Sequence, residues 1–244
     1  MDDLLQHADV AMYLAKAQHV GVVHYDPEHD HYDAANLGLI ADLRHAIDAG
    51  ELVMHYQPKV ALEDGRVEAV EALVRWQHPT LGLLYPDRFI PLCEQTDLID
   101  RLTTWVMRTA LTDIRDLGEV SVSVNVSART LGRGRFADQV ISVLADLEVD
   151  PGRLIIEITE TALLTDPPRA AAVLAQLDAV GVRVSLDDFG IGQTSLGYLS
   201  SLPVHELKID KSFVMDMLAN PAHAAIVRSI VDLGHNLKLQ VVGE

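Results

Sequence analysis

Six short apolar runs each carry an oxygen donor or a cation where an apolar side chain would pack more easily. Glu71 follows "VEAV", Asn125 sits near the end of "VSVSVNVS", and Glu157 lies in "LIIEITE". The pair Asp187-Asp188 follows "VRVSL", Lys208 lies in "ELKID", and Glu244 ends "LQVVGE". A charge inside an apolar strand is costly unless it is paired or bound to a metal. One such residue could be a structural salt bridge, and exposure could explain another. Five carboxylates, an amide and an ammonium spread over six successive runs point instead to a shared centre. The donors are hard oxygens, with no cysteine or histidine among them, which suits Mg²⁺ or Mn²⁺ better than zinc. Asp187 and Asp188 can both reach neighbouring ions if the chain bends at the strand end, as two-metal phosphodiester hydrolysis requires. Taken alone, that pair could merely cap a turn.

The elements that must position these groups follow from periodicity. Seven strand-like runs occur, "LVMHYQPKVAL", "VEAVEALVRW", "VSVSVNVS", "LIIEITE", "VRVSLDDFG", "HELKIDKSF" and "LQVVGE". Between most of them lie amphipathic stretches such as "LTTWVMRTALTDIRDL" and "AHAAIVRSIVDLGHN", with apolar residues at helical spacing. Glycines in "AVG" and "DLGHN" are placed as helix stops. The first two strands are separated by "EDG", which suits a hairpin; strand and helix then alternate, as in a parallel sheet. The expected fold is α/β, a TIM-like (β/α) barrel with an antiparallel first strand. An open doubly wound sheet is the alternative, but no glycine-rich phosphate loop follows the first strand. Within "VSVSVNVS" the valines share one face and Ser121, Ser123 and Asn125 the other. With the valines toward the helices, Asn125 points inward near the strand's C-terminal end, where barrel enzymes place their chemistry.

The formal charge of −17, from 19 basic and 36 acidic residues, argues against broad binding to duplex DNA or RNA or to an anionic membrane. It leaves room for an anionic substrate held through a divalent cation. The single cysteine, Cys93, fits a reducing compartment. No run approaches the roughly 20 apolar residues of a membrane span, so a cytoplasmic location is expected. Residues 1–25 read as a short helix and a strand, and "DPEHDHYD" as a linker, giving a boundary between 1–32 and 33–244.

In order along the chain stand "YQP" (56–58), "EALVRW" with "HP" (71–79), "FIPLCEQTDLI" (89–99), "NVSARTL" (125–131), "EITE" (157–160), "DDFGIG" (187–192), "LKIDKSFV" (207–214) and "VVGE" (241–244). This ordered set, from about residue 36 onward, resembles the EAL-domain phosphodiesterases that hydrolyse cyclic di-GMP. The resemblance implies that Glu71, Asn125, Glu157 and Asp187 hold one of two ions. Asp187 would bridge to the second, joined by Asp188 and Glu244. Lys208 resembles the lysine that positions or helps activate the attacking water, and Glu244 a glutamate near that water, either ligand or base. Gln57 and Arg75 match substrate-contacting positions, and Glu160 matches a glutamate that steadies the loop after "DDFG". Homodimerisation through that loop is also implied.

Residues 1–25 resemble the closing helix and strand of a GGDEF domain whose body is absent. Two departures from the family pattern stand out. Ile191 replaces the usual threonine or alanine of the loop motif. The chain also ends at Glu244, before a further helix, strand and final helix, so the barrel is expected to be truncated after its seventh strand, less stable and less active. The competing functional expectations are a non-catalytic sensor of the dinucleotide or of a protein partner, and a different metal-dependent barrel enzyme acting on an enolisable acid.

Overall fold

In the computed structural model, residues 22, 24, 27–191 and 196–244 are described. The N-terminal remnant and most of the loop after "DDFG" therefore lie outside the described residues. A long helix α1 (Pro27–Ala49) leads into the hairpin β1 (Leu52–Val60) and β2 (Val67–His78), which ends in a short added strand β3 (Gly82–Leu84). Then come α2 (Pro86–Glu94), α3 (Leu98–Asp113), β4 (Ser121–Asn125), α4 (Ala128–Leu131), α5 (Phe136–Leu147) and β5 (Leu154–Thr159). The chain continues through α6 (Glu160–Thr165), α7 (Pro167–Ala179), β6 (Arg183–Phe189), α8 (Leu196–Leu199) and β7 (Glu206–Ile209). It closes with α9 (Lys211–Asp216), α10 (Pro221–Leu237) and β8 (Gln240–Gly243).

The sheet order is β1-β2-β4-β5-β6-β7-β8, with β3 paired to β2 alone. β1 is antiparallel to β2, and every later pair along that path is parallel. Strand order never reverses, which excludes the doubly wound alternative. β1 and β8 end the path without pairing to each other, yet the sheet is curled. Lys59 of β1 reaches Glu206 of β7, and Gln240 of β8 donates to Glu68 of β2 while accepting from Arg183. The result is a partial (β/α) barrel with the expected antiparallel first strand.

Local sequence explains the frame. Val122 and Val124 are fully buried in the layer between sheet and helices, as the alternation required. Helix α3 turns Leu98, Leu102, Val106 and Ala110 into the same layer, the stripe that an amphipathic helix buries. Asp166 and Asn220 cap α7 and α10, each followed by proline at the first helical position, where its missing N–H costs nothing.

Two expectations are corrected. The segment "DPEHDHYD" is not a linker throughout, because α1 starts at Pro27; proline is tolerated in a first helical turn. Gly234 does not stop its helix, which runs to Leu237 and ends on Lys238 in a left-handed conformation, φ 59°. A Cβ at Gly234 would collide with the Val241 side chain, so this glycine lets β8 lie against α10. Gly181, at φ 94° just past α7, is the helix stop that was expected. Among the described residues, no helix is long and apolar enough to cross a membrane.

Candidate active site

Strand register brings the candidate residues together. Gln57 lies directly opposite Glu71 across the β1–β2 hairpin. Asn125 pairs in register with Glu157 across β4–β5, and Thr159 with Asp187 across β5–β6. Side chains alternate between faces, so Glu71, Glu157, Asp187 and Lys208 converge inside the curl. The acidic pair depends on an irregularity: the β6–β7 register shifts between Leu186 and Phe189, and Asp188 adopts φ 54°. A bulge of this kind re-aims consecutive side chains. The Asp188 N–H donates to Asp187 Oδ1 at 2.9 Å. As a result, carboxylate oxygens of Asp187, Asp188 and Glu244 lie within 4.8 Å of one another.

Lys208 is the hub. Its buried ammonium lies 2.9 Å from Glu157 Oε2, 3.1 Å from Asp187 Oδ2, 3.2 Å from Glu71 Oε2 and 2.5 Å from Glu244 Oε1. Burial disfavours the ammonium, but Glu157, Glu71 and Asp187 outweigh that and hold its pKa above the ordinary lysine value. Burial likewise opposes ionisation of Glu157, yet Lys208 and Lys59 more than offset it, so its carboxyl sits below the usual glutamate value. Glu71 goes the other way, because burial and the neighbouring Glu157 charge exceed the help from Lys208 and Asn125. Asp188 is raised by burial, then by Asp187 and Asp210. Glu244 is raised by burial against the pull of Lys208.

The remaining candidates surround this centre. Asn125 donates from Nδ2 to Glu71 Oε1 at 2.8 Å. Gln57 is exposed at the same level. Arg75 lies over the Tyr85 ring, 4.9 Å from its centroid, and donates to the Val74 carbonyl at 2.8 Å. Glu160 is buried at the start of α6. Ile191 is exposed. A groove of about 600 Å³ runs past Asn125 between Leu73, Ile90, Pro91, Glu94 and Thr159.

Three residues of this centre were missed from the sequence. Lys59 Nζ reaches Glu157 Oε1 at 2.7 Å and Glu206 Oε1 at 2.6 Å, and Asp210 contacts the Asp188 side chain. The signal was the period of two: Lys59 is two residues from Gln57, and Glu206 and Asp210 flank Lys208 at the same spacing.

The opposing shifts predict a pH response. Glu71, Asp188 and Glu244 hold protons more tightly folded than unfolded. Between about pH 4.3 and neutrality, these groups make the folded chain bind more protons. Stability therefore rises as pH falls through that window. The Glu157 contribution has the opposite sign and is lost only in stronger acid, as pH drops through its depressed folded value. Melting of the metal-free chain is expected to move upward from about pH 7.5 to about pH 5 and downward below about pH 4. A melting temperature falling steadily across the whole range would contradict this charge arrangement.

The comparisons with known proteins agree with this geometry. The family model described as "EAL domain" matches residues 40–244. MucR of Pseudomonas aeruginosa, described as a bifunctional diguanylate cyclase/cyclic di-GMP phosphodiesterase, is 40% identical over 99% of this chain and 36% of its own length. NbdA of the same organism, described as a cyclic di-GMP phosphodiesterase, is 43% identical over 83% of this chain and 27% of its own. The chain thus spans about a third of these curated relatives. The solved PaMucR phosphodiesterase in its c-di-GMP complex superposes with a TM-score of 0.80 at 41% identity, covering 84% of this chain and 85% of that one. The chain belongs to the EAL domain family.

Proposed function

We propose that this chain is a divalent-cation-dependent phosphodiesterase that opens cyclic di-GMP to linear pGpG. The observation that carries the reading is the Asp187, Asp188 and Glu244 cluster beside the Lys208 ammonium, in a domain 41% identical to a phosphodiesterase solved with c-di-GMP. Three convergent carboxylates, partly screened from water and without a soft donor, fit Mg²⁺ or Mn²⁺. Asp187, Asp188 and Glu244 would hold one ion, and Glu71, Asn125, Glu157 and Asp187 the other. Bound cations supply charge neutralisation at the phosphate and a more acidic water.

The chain's own groups do the rest. Water adds at phosphorus as the bond to the 3′-oxygen breaks, and the phosphate stays on the 5′ side. The water gives up one proton and the departing 3′-oxygen takes one up, with Glu244 beside Lys208 placed to relay it. Lys208, in reach of Glu157, Asp187, Glu71 and Glu244, would position or help activate the attacking water. Gln57 and Arg75 flank the centre on β1 and β2, where a guanidinium can fork onto a phosphate oxygen. The groove beside Asn125 is apolar enough to seat a base. Glu160, buried at the head of α6, would steady the loop that follows "DDFG". We assign residues 1–32 to the end of a preceding GGDEF-like domain. The match to bifunctional MucR supports this, since it covers 99% of the chain whereas the EAL model begins at residue 40. A cytoplasmic homodimer is part of the same proposal.

The test is incubation with cyclic di-GMP and Mg²⁺ or Mn²⁺, followed by chromatography. Linear pGpG that disappears with a chelator is expected. Tight binding of the dinucleotide without turnover would instead make this domain a sensor.

A further inference from the structure

Beneath the carboxylate cluster the curl has a charged floor. Lys59 enters it from β1, whose reversed direction places Lys59 opposite Ala69, two residues before Glu71. Its ammonium bridges Glu157 Oε1 at 2.7 Å and Glu206 Oε1 at 2.6 Å. Ser185 Oγ donates to the same Glu206 oxygen at 2.7 Å. The side chains of Lys59, Glu157 and Glu206 are only 10%, 0% and 2% exposed. Glu157 is thereby divided: Oε1 is tied down to Lys59, and Oε2 faces up to Lys208 at 2.9 Å.

We propose that Lys59 is a positioning residue, which fixes the orientation of Glu157 so that one carboxylate oxygen is always presented to the cation site. This rests on the metal-dependent reading above. A carboxylate gripped on one oxygen and buried on all sides has little freedom to rotate about its terminal torsion. Without Lys59, Glu157 and Glu206 would be two buried carboxylates sharing a floor with no cation between them. Glu157 would then be free to rotate about its terminal torsion, and a donor that is no longer held in place is lost to the cluster. Groups that orient metal ligands from behind are commonly worth about 10- to 100-fold in metal affinity or activity.

Lys59 also braces β1 against β5 and β7, so a purely structural role must be separated from positioning. Two variants do this, Lys59→Met and the double variant Lys59→Met/Glu206→Gln, which removes the stranded carboxylate together with its cation. Mn²⁺ binding is followed by electron paramagnetic resonance and by titration calorimetry, and melting is recorded alongside. Lys59→Met is expected to bind Mn²⁺ about 10- to 100-fold more weakly, with a matching loss of kcat and little change in KM. The double variant is expected to regain melting temperature while its Mn²⁺ affinity stays low. Should Lys59→Met melt too early to titrate, the double variant alone decides. Wild-type affinity in either variant, beside a wild type that binds Mn²⁺, overturns the role of Lys59 and leaves the phosphodiesterase reading intact. A wild-type chain that binds no Mn²⁺ overturns both.

Discussion

Replacing Lys208 with methionine is expected to destabilise the metal-free chain by about 3–5 kcal/mol, the usual cost of removing one partner from a buried ionic cluster. Lys208 is the cation shared by Glu157, Asp187, Glu71 and Glu244, and methionine fills a similar volume without charge. Glu157 keeps Lys59 as a partner, but Glu71 and Asp187 lose the lysine that draws them together. Proton uptake by the raised Glu71 and Glu244 carboxyls limits the loss, so the deficit should be larger at about pH 8 than at about pH 5. Added Mn²⁺ should restore much of the stability, since a ligand that binds only the folded state stabilises it by mass action. On the proposed mechanism hydrolysis should not return, because the ammonium assigned to the attacking water is gone. Urea unfolding at the two pH values, with and without Mn²⁺, checks this. Equal stability of variant and wild type would mean that the four carboxylates do not depend on Lys208.

Asp187→Asn separates chemistry from folding. Asparagine is nearly isosteric and keeps a carbonyl oxygen able to accept from the Asp188 N–H, which holds the bulge. It relieves one negative charge of a crowded centre but sets the amide Nδ2 against the Lys208 ammonium that Asp187 Oδ2 meets at 3.1 Å. The metal-free chain should therefore still fold and melt only modestly below wild type. Hydrolysis of cyclic di-GMP should nevertheless fall by more than about 1000-fold, because groups that act as a unit lose most of the effect when one member goes. The loss should lie in kcat, with dinucleotide affinity changed far less, since the proposed substrate contacts at Gln57, Arg75 and the groove are untouched. A variant with near wild-type turnover would show that the cluster is not the reacting centre, however well its geometry suits a cation.

The sequence by itself determined the staves of the barrel and most of the charged groups that the structure gathers inside the curl. Period-two alternation placed the valines of β4 toward the helices, and the structure buries them fully. Burial cost alone set apart Glu71, Glu157, Asp187, Lys208 and Glu244, because a charge in an apolar strand needs a partner. The helical start of "PEHDHYD" was less legible, since proline and clustered charge resemble a break when the packing of α1 is not in view. Gly234 was misjudged for a related reason: a glycine signals a stop or a close approach equally well, and only the Val241 side chain against it shows which.

Tertiary structure alone decided how the charges are shared. No spacing along the chain reveals that Lys59 and Glu206, 147 positions apart, meet beneath Glu157, or that a register shift beside Asp188 turns two consecutive carboxylates toward one centre. Strand identity is a local property written in side-chain period. Which lysine neutralises which carboxylate depends on curl and register, and those are fixed by the whole sheet at once.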